Sequence, residues 1–126
     1  MIRFLPVIAS LLAAPALASS VALTLDCRFT TECSVAEGLC HESEEALLSF
    51  AVIIAQEGDS ARYEGDGASE PMAAHYTDEG VLILYDRAGS TLTSVGTDGT
   101  AVHASNLILV GHVNRAAQWS GTCLPR

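Results

Sequence analysis

From Val21 to Thr30 apolar and polar residues alternate, with Val21, Leu23, Leu25, Cys27 and Phe29 on one side and Thr24, Asp26, Arg28 and Thr30 on the other. A period of two predicts a strand with one buried face, and it turns Cys27 toward the core. Near the other end Ala117, Trp119, Gly121 and Cys123 alternate with Gln118, Ser120 and Thr122. This predicts a last strand that also faces its cysteine inward and uses the single tryptophan as core packing.

Between these ends the punctuation is regular. Glu57-Gly58-Asp59, Glu64-Gly65-Asp66-Gly67, Asp78-Glu79-Gly80, Arg87-Ala88-Gly89 and Thr97-Asp98-Gly99 are turn-forming clusters about eight to fourteen residues apart. Asp98-Gly99 is the sharpest and predicts a two-residue hairpin turn between strands over 91–95 and 101–105. Residues 81–85, VLILY, form a short apolar run bounded by turns and predict a well-buried strand. Residues 107–110 form a similar run, separated from the last strand by Gly111.

The segment 42–56, ESEEALLSFAVIIAQ, carries two patterns. Leu47, Phe50, Ala51 and Ile54 would share one stripe of a helix, whereas Leu48, Phe50, Val52 and Ile54 would share one face of a strand. The β-branched run and the hairpin signal that follows favour a strand from about Leu47, preceded by a loop or one helical turn. Short strands at this spacing, without long helical patterns between them, predict an all-β fold. The expected architecture is a single antiparallel meander of about eight strands, closed as a small barrel or sandwich.

The first eighteen residues, MIRFLPVIASLLAAPALA, have one early charge at Arg3, an apolar run and the small-residue triplet Ala16-Leu17-Ala18. That is the layout of a secretory signal peptide, with cleavage expected after Ala18 and a β domain over 19–126. The apolar run is shorter than the ~20 residues that span a bilayer, and no lipobox precedes Cys27, so no membrane anchor is expected in the mature form. The expected location is periplasmic or secreted.

Charge narrows the choice of partners. All fifteen acidic residues lie in 19–126 against five arginines and no lysine, so the net charge moves from −9 to about −10 once Arg3 is removed. Such a domain repels phosphate backbones and anionic membrane surfaces, which disfavours nucleic acid as a partner. A cationic partner is compatible with the charge, as is simple solubility.

The densest chemistry is LDCRFTTECSVAEGLCHES, which holds three of the four cysteines. Their spacing, C-x5-C-x6-C, lacks the close pairs of zinc sites and the C-x-x-C of redox or haem-attachment motifs. Four cysteines in a short exported chain therefore predict two disulfides. The two inward cysteines of the terminal strands favour Cys27 with Cys123, leaving Cys33 with Cys40 to close a local loop. Pairing Cys27 with Cys40 and Cys33 with Cys123 would also tie the first segment to the last strand and stays open.

The histidines, His41, His75, His103 and His112, are scattered. Met72 and His75, with His103 as a third ligand, could offer a thioether and imidazoles to a soft metal such as copper, but no H-x-H or H-x-x-x-H accompanies them. The acidic cluster Glu42, Glu44 and Glu45 beside His41 reads as a solvated loop. DSARYEGDG, residues 59–67, lacks calcium-loop spacing. No G-x-S-x-G elbow is present, and nothing singles out a catalytic carboxylate pair. No catalytic residue, cofactor site or metal site is therefore assigned.

The opening C-x-F-x-T-E-C (Cys27, Phe29, Thr31, Glu32, Cys33), the third cysteine soon after it and the terminal Ser120-Gly121-Thr122-Cys123 resemble small exported proteins of alphaproteobacteria for which no activity is known. The resemblance covers both ends of the mature chain. It implies a signal peptide, disulfides and a β-rich domain, and it tips 47–56 toward strand. Periplasmic lysozyme inhibitors are also disulfide-containing β-barrels, but no stretch here carries their inhibitory loop, and the likeness is one of size and compartment only.

The favoured reading is a non-enzymatic binding or inhibitor-type module acting on an envelope protein or small ligand through its loops, with the acidic stretch 57–70 as the first candidate. The alternative is a periplasmic metal-binding protein using Met72 and His75. A hydrolase is the third hypothesis.

Overall fold

A computed structural model describes residues 21–65, 70–86, 89–109 and 113–126. The leader expected over 1–18, its cleavage point and His112 lie outside them. Among the described residues the chain forms nine strands and no helix: β1 (Val21–Ser34), β2 (Leu39–Glu42), β3 (Leu48–Ala55), β4 (Ser60–Glu64), β5 (Met72–Tyr76), β6 (Leu82–Tyr85), β7 (Thr91–Val95), β8 (Thr100–Leu109) and β9 (Val113–Pro125). From β3 onward each strand pairs antiparallel with the next, and β9 returns to β1. Eight strands thus close into a barrel, with β2 as a flap on the far end of β1. Closure removes the exposed sheet edge that an open meander would present.

The long β1 holds this together. Its first part lies between β3 and β9, from Leu25↔Val52 and Leu25↔Pro125 to Phe29↔Leu48 and Phe29↔Gly121. A bulge between Phe29 and Thr31 then shifts the register against β9, so that Glu32 lies opposite Trp119. Past the bulge β1 leaves β3 and pairs with β2, Thr31↔Glu42 to Ser34↔Leu39. The bulge requires close approach of the backbones at Gly121. A Cβ there would lie 2.1 Å from the carbonyl oxygen of Arg28 and 2.7 Å from Phe29 Cα.

The interior is filled by side chains, as expected of a barrel of this strand number. Phe29, Val52, Ile54, Leu84 and Cys123 are almost completely buried, and Ala61, Ala74 and Ala101 take the narrow positions between them. The alternation of the first and last strands holds: Leu25, Cys27, Phe29, Ala117 and Cys123 are buried, whereas Asp26, Arg28, Gln118 and Ser120 are exposed. Both disulfides form in the favoured pairing, Cys27–Cys123 within the core and Cys33–Cys40 across the β1–β2 hairpin. Cys27 and Cys123 are direct cross-strand partners, so the first bridge staples the seam at which the barrel closes.

Several sequence expectations change in the folded chain. Of the two alternatives before the expected strand, residues 43–47 take the loop rather than the helical turn, and β3 begins at Leu48, next to the expected Leu47. The run 81–85 is buried on one face only: Leu82 and Leu84 point inward, Ile83 is half-buried and Tyr85 is exposed, because an antiparallel barrel has a single interior. Residues 107–109 are not a separate strand but the end of β8. Asp98-Gly99 is not a two-residue turn. Gly99 N–H donates to the Gly96 carbonyl and Gly96 N–H to the Thr100 carbonyl, leaving Thr97, Asp98 and Gly99 as a three-residue loop. Gly99 alone takes positive φ (+86°) there, whereas a two-residue type I′ turn would require it at Asp98 as well.

Candidate functional site

The strand directions give the barrel two unlike ends. One is made of the tight turns 56–59, 77–81 and 96–99 together with the start of β1 and the end of β9. The other, the open end, is formed by the last residues of β4 and β6 and the first of β3, β5 and β7, and there the walls of β1, β2, β8 and β9 run past the barrel. The tight-turn end has an apolar depression of about 240 Å³, lined by Leu23, Leu25, Tyr76, Leu82, Val95 and Leu124 among others. It holds no titratable cluster among the described residues. The chemistry gathers at the open end.

There the buried residues stop being aliphatic. Among the described residues Thr93 and His103, cross-strand partners on β7 and β8, are the buried polar ones, with exposures of 0% and 6%. His103 Nδ1 and Thr93 Oγ1 share a hydrogen bond of 2.7 Å, and Thr93 Oγ1 and the Tyr63 hydroxyl another of 2.5 Å. One threonine hydroxyl donates once, so it donates to one neighbour and accepts from the other, which polarises the chain in one direction. No fully buried side-chain nitrogen or oxygen among the described residues lacks a partner, so this network costs little of the penalty that a bare polar group would carry.

Aromatic rings enclose the imidazole. Ring centres lie 5.1 Å away for Phe50, 5.5 Å for Tyr63, 5.5 Å for Trp119 and 5.9 Å for Phe29. Phe29 is sealed, whereas Phe50, Tyr63 and Trp119 pack on the core yet keep part of their surface in solvent. Desolvation in this setting pushes the His103 pKa down to about 4, so the imidazole is neutral at neutral pH. Burial also pushes the Tyr63 hydroxyl above its ordinary value, with hydrogen bonds to Thr93 and Thr91 opposing and the charge of Asp86 adding. Asp86 is held below the usual carboxylate range, first by the Ser90 hydroxyl and then by backbone N–H groups that include Thr91.

The expected site residues take the following places. Met72 is buried and His75 exposed. Three apart on a strand, they leave opposite faces of β5, so the pair named in the alternative metal reading is not brought together. Among the described residues no group of three or more His, Cys, Asp or Glu could hold a metal. His41 is exposed and pairs with Glu37 at 3.2 Å. Glu42 and Glu44 line a shallow polar depression with Thr30, Thr31 and Ser43. The stretch 57–70 is not one loop: β4 runs through it and sends Glu57 and Asp59 to the tight-turn end and Glu64 and Glu70 to the open end. Trp119 is half-buried, at the edge of the core rather than inside it.

Sequence reasoning passed over Phe50, Tyr63 and Thr93 as a group. The available signal was a threonine and a histidine at inward-facing positions on two strands of one hairpin. Thr93 Oγ1 beside an imidazole has the spacing of a nucleophile–base pair, but a side chain without exposed surface gives no substrate access. The arrangement is suited to contact through its rings. No family model, curated protein or solved structure matches the chain.

Proposed function

We propose that this chain is an exported binding or inhibitor-type module that acts on an envelope partner without transforming it, and that the open end of the barrel makes the contact. The observation that carries the reading is the set Phe50, Tyr63 and Trp119, partly exposed and packed against the core at the open end of the barrel. Aromatic side chains on a fixed scaffold give contact area at low entropic cost, as binding surfaces require. Two disulfides suit a chain that folds in an oxidising compartment outside the cytoplasm, and a leader removed after Ala18 would deliver it to the periplasm or beyond.

The test is recovery of tagged, oxidised 19–126 from its native envelope beside a Phe50→Ser/Trp119→Ser variant with a matched thermal transition. A protein retained by the parent and lost by the variant is the expected result. Equal recovery by both would move the contact away from the open end, and recovery by neither would overturn the envelope partner.

A further inference from the structure

We propose that the open end is a cation–π site, in which a positively charged organic group sits over His103 among the rings of Trp119, Tyr63 and Phe50. This rests on the binding reading above and names the chemistry of what is bound. Two sources share that chemistry: a small quaternary ammonium compound, or the lysine or arginine side chain of a protein partner.

Three observations converge on it. The rings border the imidazole from different strands, with Phe50 on β3 and Tyr63 on β4 centred 4.7 Å apart and Trp119, the cross-strand partner of His103 on β9, centred 5.5 Å from it. A cation held within about 6 Å of such ring centres is attracted by the negative faces of the rings. Phe50, Tyr63 and Trp119 each keep part of their surface in solvent, unlike Phe29, whose exposure is 0%.

Charge complements the rings. The Asp86 carboxylate lies near enough to Tyr63 to bear on its hydroxyl, and Glu32 is the cross-strand partner of Trp119 on the same face of the sheet. Cations are concentrated around a lysine-free domain of about −10 charge. The floor does not oppose them, since His103 carries no proton at neutral pH. Aromatic faces select weakly hydrated organic cations over metal ions, which demand oxygen, nitrogen or sulfur ligands.

Trp119 is the only tryptophan, so its fluorescence reports on the site without a label. Oxidised 19–126 is titrated at constant ionic strength with choline, with N-acetyl-arginine amide, and with 3,3-dimethylbutanol, the uncharged counterpart of choline. A saturable change is expected with one or both cations and none with the alcohol over the same range. A choline response alone points to a small ligand, and an arginine response alone to a protein side chain. Phe50→Leu and Asp86→Asn should each weaken cation binding by about three- to tenfold. Leu124→Ser, at the far end of the barrel, should not. An equal response to the alcohol overturns the proposal in favour of a plain apolar site. Absence of any saturable response, while an envelope protein is still retained through the open end, overturns the cation and leaves the binding reading standing. Absence of both removes the two together.

Discussion

The two ends of the barrel are built from the same strands but by different chemistry. At the tight-turn end aliphatic side chains, Leu25, Ile54, Leu82 and Val95, fill the interior, and short turns, two of them three-residue loops at 78–80 and 97–99, cap it. At the open end a neutral Tyr63–Thr93–His103 chain and four aromatic rings take their place. An aliphatic layer needs its inward side chains to match in volume, with no requirement on the direction of individual atoms. A polar network needs each donor to meet its acceptor, so it holds the strands around it to one register. The difference suggests a division of labour, with closure maintained below and a defined surface presented above.

The largest effect should come from the seam that both ends share. Replacing Cys27 and Cys123 by alanine frees a loop of sequence separation 96, worth about 4–5 kcal/mol by loop-closure entropy. The same change at Cys33 and Cys40, with separation 7, should cost about 2–2.5 kcal/mol and loosen only the β1–β2 flap. Urea denaturation of the two variants checks the ranking, and equal losses would show that the seam does not depend on its staple.

Gly121→Ala comes next. Its Cβ would meet backbone atoms rather than a flexible side chain, so β1 and β9 must separate at the bulge. The expected cost is about 3 kcal/mol or more, read as a lowered denaturation midpoint. A smaller cost would mean that the bulge can slide.

Acid should distinguish the ends. Burial lowers the His103 pKa from 6.5 to about 4, so between these values the unfolded chain takes up a proton that the folded chain refuses. The contribution is present in full above pH 6.5 and is lost as pH falls toward 4, on the order of 3 kcal/mol in all. Denaturation midpoints measured from pH 7 to pH 4.5 should fall for the parent and change less for His103→Leu. Hydrogen exchange should show amides of β7 and β8 loosening before those beside Leu25 and Ile54. Uniform loosening would sink the idea of two separable layers.

The smallest effect is expected at Tyr63→Phe. It keeps the ring and leaves the Thr93 hydroxyl bonded to His103 alone, at a cost of about 1 kcal/mol in thermal or chemical unfolding. A loss as large as that at Gly121 would show that the hydroxyl, rather than the ring, holds the open end.

Much of the fold was legible in single segments. The alternation of Leu25, Cys27 and Phe29 and of Trp119 and Cys123 identified the faces of β1 and β9, and with them the favoured disulfide. The turns at Gly58, Gly80 and Gly99 marked hairpins. The acidic stretch 57–70 misled because five residues of strand carry the chain from one end of the barrel to the other. Proximity of Met72 and His75 in sequence says nothing of proximity in space, because the alternation of β5 sends them to opposite faces.

By itself the sequence determined which side chains of each strand face inward, because alternation is a local property of extended backbone and needs no knowledge of neighbours. Tertiary structure alone decided which inward residues meet. A two-residue turn at Asp98-Gly99 would have set Thr93 opposite Ala104. The three-residue loop sets it opposite His103, and one residue of register separates a satisfied network from two stranded polar groups. Tyr63 and Phe50 reach the imidazole only because β9 closes on β1, whereas Trp119 meets it as its cross-strand partner in the β8–β9 hairpin. Closure is non-local: it depends on the twist, bulge and loops of the whole barrel, and no window of sequence contains it.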